Sequence, residues 1–213
     1  MTAWNARVVE LGRVPFAPTW AHMRDLAARV ATDAAAGEVW LLEHDPVYTA
    51  GRATPVLDVD AVGAVPIERG GQITWHGPGQ LVVYPIVALP RRDLRAWLAA
   101  LEAFGVAIAA AFDLPGEPSV DGTGVFVTGR KVASIGVAVR RWVNLHGIAI
   151  NVDLNLAPFF RCRPCGRDPT LMTDLTRAAG RPIGMAEVIT AARAAIPALL
   201  DPGAASASGR AAR

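Results

Sequence analysis

Cysteine is nearly absent from this chain: 213 residues contain only Cys162 and Cys165. Two thiols cannot build the disulfide framework that holds small secreted domains together. Net charge is almost missing as well, at +2, and no long Lys/Arg run occurs. That removes the electrostatic footprint of a nucleic-acid binder. Charges interrupt the opening "MTAWNARVVELGRV", so it reads neither as a secretory segment nor as a membrane-crossing helix. A cytoplasmic protein with no membrane partner is expected. No repeat with a period of about 20 to 50 residues is present, and no internal Gly/Ser-rich linker divides the chain.

What is present is a core-forming composition, 52% hydrophobic and 19% charged. It predicts one globular domain over residues 1–200. The small, polar "DPGAASASGRAAR" from Asp201 reads as a frayed or disordered tail. Arg140, Arg141 and the spaced Arg161, Arg163 and Arg167 suit either an acidic protein partner or plain solvation.

Local pattern gives the elements. Thr19 reads as an N-cap for a helix through "WAHMRDLAARVATDAAA", stopped by Gly37. "EVWLLE" reads as a buried strand running into the loop "HDPVYTAGR". "AVPIE" and "LVVYPI" read as strands. Asp93 is a candidate cap for a helix that carries Leu94, Trp97, Leu98 and Leu101 on one side. The Val/Ile-rich "GVFVTGRKVASIGVAVRRWVNLHGIAINVDL" reads as three strands joined by tight turns. "MAEVITAARAAIPALL" closes the chain as a helix whose last turn Pro197 weakens. Strands and helices mix without regular alternation, which predicts an α+β fold.

Few residues carry chemistry. "CRPC" spaces its thiols as C-x-x-C, but structural zinc needs four ligands and no second pair exists. His22, His44, His76 and His146 are scattered at spacings that form no ligand motif. A thioredoxin-like pair would sit in a βαβ unit, and none is read here. A single nucleophilic thiol remains, against two idle cysteines. In "TGRKVASIGVAV", unbroken alternation puts Lys131, Ala133, Ile135, Val137 and Val139 on one apolar face. Desolvation there lowers an ammonium from about 10.4 toward the rough range of 7 to 8 in which it can take a thiol proton. The alternative is a turn lysine pointing into water.

"RGGQITWHGPGQ" lies between two apolar runs and spends its positions on Gly and Pro. Such backbone suits a wall whose N–H groups face a bound molecule, or a pair of ordinary tight turns. Neither a P-loop nor a dinucleotide-binding glycine pattern is present, so an uncharged, elongated ligand fits better than a phosphate.

In order and separation, "EHDPVYTAGR", "RGGQITWHGPGQLVVYPI", "GRKVASIGVAVRRWVNLHGIAINV" and "PCG" resemble the lipoyl(octanoyl)transferase family across residues 38–175. The resemblance implies a biotin/lipoyl protein ligase-like mixed sheet flanked by helices, acting as a monomer without metal, nucleotide or other cofactor. It implies that Cys165 forms a thioester with an octanoyl group and that Lys131 lowers the thiol's pKa and acts as acid and base. It implies an acyl-binding site made by Arg69, Gly70, Gly71, Gln72, Ile73, Thr74, Trp75 and His76, with Ser134, Ile135, Gly136, Gly147, Ile148 and Ala149. Cys162 has no counterpart in the motif, and Arg163 stands where the family usually has Asn. The implied partners are octanoyl-acyl-carrier protein as donor, and the lipoyl domains of 2-oxoacid dehydrogenase E2 subunits and glycine cleavage H protein as acceptors. An ATP-dependent lipoate or biotin protein ligase and a non-catalytic lipoyl-domain binder are the competing readings.

Overall fold

Two tight turns organise the middle of the chain. In the computed structural model, which describes residues 6–33, 35–89, 91–120, 124–162 and 168–201, Thr128 and Gly129 both have positive φ, as do Arg141 and Trp142. These are the mirror-image turns that match strand twist. They join β8 (Gly124–Val127), β9 (Arg130–Arg140) and β10 (Val143–Asn151) into an antiparallel meander. The three strands read from the Val/Ile-rich sequence are therefore present.

Around them a seven-stranded mixed sheet forms from β1 (Ala6–Val14), β2 (Gly37–His44), β6 (Gln80–Ile86), β7 (Gly116–Pro118) and the meander, in the order β1-β2-β6-β10-β9-β8-β7. A smaller sheet, β4-β3-β5, is built from β3 (Val47–Ala50), β4 (Val65–Pro66) and β5 (Ile73–His76). The structure is α+β, as expected from the irregular mixture of elements.

Alternation in the central strands divides the core in two. Val39, Leu41, Leu81 and Val83 face α3 (Leu94–Ala110) and α5 (Met185–Leu200). Trp40, Leu42, Val82 and Tyr84 face α1 (Phe16–Val30). Helix α2 (Val56–Val62) follows β3, and α4 (Leu175–Ala179) precedes α5.

Several boundaries differ from expectation. Helix α1 begins at Phe16 after Pro15, and Thr19 lies inside its first turns, where its hydroxyl donates to Pro15 O at 2.7 Å. The prolines and an alanine-rich run hide that start, because Pro is tolerated in a first turn. The Asp93 cap is present: its carboxylate accepts from Ala96 N at 3.0 Å. Trp97 and Leu101 are buried beneath α3, but Leu94 at its first position is exposed. "AVPIE" pairs over only Val65–Pro66, and the loop read through "HDPVYTAGR" contains β3. The tail read as disordered lies outside the described residues from 202 onward.

Candidate active site

Lys131 owes its placement to a β-bulge. Val125 pairs with Ala133 and Phe126 with Lys131, so Val132 is an extra residue in β9. Val132 and Ala133, adjacent in sequence, both pack in the core under α3 and α5, which regular alternation forbids. The bulge moves Lys131 out of phase with Ala133, Ile135 and Val137 and into phase with Ser134 and Gly136. This corrects the expectation of one unbroken face. Lys131 is the only lysine of the sequence, and it is 2% exposed. Its Nζ lies 5.9 Å from the Phe126 ring centroid. A methyl group on Gly124 would stand 2.7 Å from Lys131 Cε.

A buried polar chain runs from this lysine's backbone across the sheet. Lys131 O accepts from Thr173 N at 3.0 Å, and Thr173 O accepts from Asn151 Nδ2 at 2.8 Å. Asn151 Oδ1 accepts from Gln80 Nε2 at 3.0 Å, and Gln80 Oε1 lies 2.7 Å from His76 Nδ1. Each amide is oriented by the next, which leaves His76 Nδ1 as donor and Nε2 as the acceptor. Burial, with the neighbouring His44 charge, holds this imidazole down at about 3 against the opposing bond from Gln80. His76 is therefore a neutral ring fixed in a network.

Between the two sheets lies a narrow, partly open slot with a cavity volume of about 30 Å³. Of the residues predicted to bind substrate, Arg69, Thr74 and His76 line it from the small-sheet side. Ser134, Ile135, Gly136, Gly147, Ile148 and Ala149 line it from β9 and β10. Ile67, Val82 and Tyr84 complete the wall with His146. The slot is mostly apolar, as an acyl chain requires.

Arg69 shapes this wall through hydrogen bonds to its neighbours. Its terminal nitrogens donate to Gly70 O, Gln72 O, Thr49 O and Thr49 Oγ1 at 2.7 to 3.0 Å. The stem crosses Gly136, where a Cβ would meet Arg69 Cδ at 2.9 Å.

The remaining predicted residues sit away from the slot. Gly70 donates its N–H to Val137 O at 2.9 Å, and Gln72 O accepts from Gly51 N. Gly71 takes a positive φ in the turn beside them. Ile73 packs against Ala50 and Ala64. Trp75 packs edge-on to Phe159 and lines an outer concavity with Pro46, Tyr48 and Pro78. Gly79 donates to Glu43 Oε2 at 2.7 Å. The N–H groups of Gly70 and Gly79 are thus spent inside the protein. The expectation of a wall facing a ligand fails for these two, because local glycine spacing does not reveal a partner strand.

Cys165 lies outside the described residues, together with Arg163 and Arg167. Cys162 is half-buried, its Sγ 3.7 Å from Phe159 O, and it packs beside Ala50, Ala64 and Ile73. Among the described residues no group of three or more His, Cys, Asp or Glu could hold a metal ion. None of the described helices is long and apolar enough to cross a membrane.

Residues 15–197 match the family of the lipoyl protein ligase A/B catalytic domain. The chain belongs to this family. It is 42% identical to the octanoyltransferase of Geobacter metallireducens over 197 residues, 90% of this chain and 92% of that protein. It is 44% identical to the octanoyltransferase of Geobacter sulfurreducens over 90% of this chain and 82% of that one. Among solved structures, a lipoate protein ligase A bound with ATP superposes with a TM-score of 0.69 at 14% identity, covering 93% of this chain and 86% of that chain. A Thermoplasma acidophilum protein described as a lipoate protein ligase, with bound lipoic acid, gives 0.71 at 15% identity, covering 92% and 85%. Identities this low carry the fold alone.

Within this ligase A/B catalytic domain, sequence reasoning missed Gln80, Asn151, Tyr84 and Glu68. Gln80 and Asn151 left one signal: each is an uncharged polar residue at the end of an apolar strand run. Tyr84 and Glu68 left none that separates them from ordinary core and surface positions.

Proposed function

We infer that the chain is an octanoyltransferase, which moves an octanoyl group from acyl-carrier protein to a lysine of a lipoyl domain through a thioester on Cys165. The observation that carries this reading is the lone lysine, buried on the same sheet face as an apolar slot between the two sheets. The kinship with octanoyltransferases over nine-tenths of the chain supports it.

In this mechanism Lys131 accepts the proton of the Cys165 thiol. The thiolate attacks the thioester carbonyl of octanoyl-acyl-carrier protein, and the tetrahedral oxyanion collapses with loss of the carrier's thiolate. Lys131 returns its proton to that leaving sulfur. With Gly70 and Gly79 N–H already committed, the oxyanion donors are backbone N–H groups near Cys165 or elsewhere on the glycine-rich wall. The acceptor amine then attacks the acyl-enzyme, its proton passes to Lys131, and an octanoyl amide leaves as the thiol re-forms. Two acyl acceptors visiting one sulfur give ping-pong kinetics. Burying each methylene contributes about 0.8 kcal/mol, so the slot holds the chain while the sulfur changes partners. The acceptors are the lipoyl domains of 2-oxoacid dehydrogenase E2 subunits and the glycine cleavage H protein.

Intact-mass measurement tests the reading. Incubation with octanoyl-acyl-carrier protein, without ATP, should add one octanoyl group to the wild type and to Cys162→Ser, and none to Cys165→Ser. Addition of apo lipoyl domain should then discharge it. Transfer that requires ATP and free octanoate would instead make the chain a ligase, and an adduct lost in Cys162→Ser would move the chemistry to the other thiol.

A further inference from the structure

His146 stands on the wrong face of its strand. Ile148 and Ile150 point toward α3 and α5, while Leu145 and Ala149 point toward α1. Alternation therefore assigns His146 to the α3 side. Its backbone has φ +61 in the middle of β10, and this turns the ring onto the other face. There it meets the Tyr84 ring edge-on at 5.9 Å, lines the slot, and lies 3.8 Å, Nε2 to Oε2, from Glu68.

A positive φ at a non-glycine residue persists only where its surroundings enforce it. Here Asn144 Nδ2 donates to His146 O at 3.0 Å, and His146 N donates to Met23 Sδ at 3.2 Å. The ring is 2% exposed, and among the described residues its Nε2 makes no hydrogen bond. Glu68 Oε2 is anchored from behind by Trp20 Nε1 at 2.9 Å. The fold thus spends backbone strain and two buried polar groups to put a ring at this one place.

Register locates that place along the slot. Going away from Lys131, β9 and β10 present the pairs Ser134 with Ala149, Gly136 with Gly147, and Val137 with His146. At about 3.3 Å per residue, with Val132 bulged out, the Gly136–Gly147 row lies roughly 13 Å beyond Lys131. An extended octanoyl chain, seven C–C bonds of about 1.5 Å set in a zigzag, spans roughly 9 Å. With the sulfur and its contact to the lysine added, its methyl end falls at the glycine row. The next group it would meet is His146.

We propose that His146, held on the slot face by Asn144 and Met23 and backed by Glu68 and Tyr84, is the stop that limits acyl-chain length. This specificity role rests on the octanoyl-transfer reading. A longer chain must push the ring away from Glu68 and set hydrocarbon against both polar groups.

The test compares octanoyl-, decanoyl- and dodecanoyl-carrier protein as donors to the wild type, His146→Gly and His146→Asn. Glycine accepts φ +61 freely and empties the end of the slot; asparagine also tolerates this φ and is smaller than imidazole. The decanoyl-to-octanoyl ratio of kcat/KM should rise by at least about 15-fold in His146→Gly, the worth of two newly buried methylenes. His146→Asn should give a smaller rise in the same direction, and it keeps the test open if the glycine variant does not fold. Ratios unchanged in a folded variant, or equal loss on all three donors, would overturn the proposal. A wild type that takes up no octanoyl group at all would instead defeat the parent reading.

Discussion

His76 Nδ1, at the buried end of β5, lies 2.7 Å from Gln80 Oε1. Burial holds that ring down at about 3, against an unfolded value near 6.5. Between those two values the unfolded chain binds a proton that the folded ring refuses. Stability therefore falls as pH falls through that window and is flat above it. Urea midpoints measured from about pH 7 down to about pH 4.5 should slope downward by up to about 1.4 kcal/mol per unit from this site. In His76→Gln the slope should shrink without vanishing, because burial also depresses His44 and His146. Equal slopes in the two proteins would show that His76 is already protonated when folded.

Lys131→Met removes the only amine of the side chains while keeping the length of the stem. As a general base its loss should slow acyl-enzyme formation at neutral pH by about 100-fold or more. Raising the pH above about 8.5, where a thiol ionises unaided, should recover part of that rate. Because the variant contains no lysine at all, no octanoyl-lysine amide found in the complete reaction can lie on the enzyme. Stopped mass spectrometry at two pH values measures both effects. An unchanged rate at pH 7 would dissolve the Cys165–Lys131 pairing.

Two glycines with positive φ separate turn geometry from close packing. Gly63 has φ +62, and a Cβ added to it would meet no atom within 4 Å, whereas Gly79 has φ +87 and a Cβ there would lie 2.0 Å from Asp153 O. Gly79 O also accepts from Val152 N and Asp153 N, which ties the "HGPGQ" turn to the end of β10. Gly63→Ala should cost about 1 to 2 kcal/mol of unfolding free energy, the left-handed penalty alone. Gly79→Ala should cost about 3 kcal/mol or more, since backbone must also move. Chemical denaturation of both variants checks the difference.

The same contrast explains which parts of the molecule were legible in sequence. The β8–β10 meander could be read because Val and Ile runs and turn residues act within a few positions. The final helix was read for the same reason. Strand β1 was not, because Gly12 and its flanking charges break the pattern, and its register with β2 shifts between Glu10 and Gly12. In the candidate site, the wall residues from Ser134 to Ala149 followed from the motifs that carry the family resemblance. Lys131 was assigned the wrong phase because one extra residue in β9 is invisible until its partner strand is known. His146 escaped notice because alternation sends it to the far side of the sheet. Only an enforced backbone angle, set by Asn144 and Met23, turns it into the slot.

Asn144 joins three elements that would otherwise carry unpaired buried groups. Its Oδ1 accepts from Trp97 Nε1 at 2.9 Å, and its Nδ2 donates to Pro85 O at 2.6 Å and to His146 O at 3.0 Å. It is fully buried. Asn144→Ala strands one donor and two acceptors, each worth about 1 to 3 kcal/mol when left unsatisfied, so a loss of about 3 kcal/mol or more is expected after partial relaxation. Trp97→Phe removes the donor together with part of the α3 packing and should cost about 2 kcal/mol. In the double variant the stranded indole N–H no longer exists, so the combined loss should be smaller than the sum by about 1 kcal/mol. Additive losses in urea denaturation would mean that Asn144 acts through the His146 carbonyl and β6 alone, and the link from α3 to the slot would then be packing without a hydrogen bond of consequence.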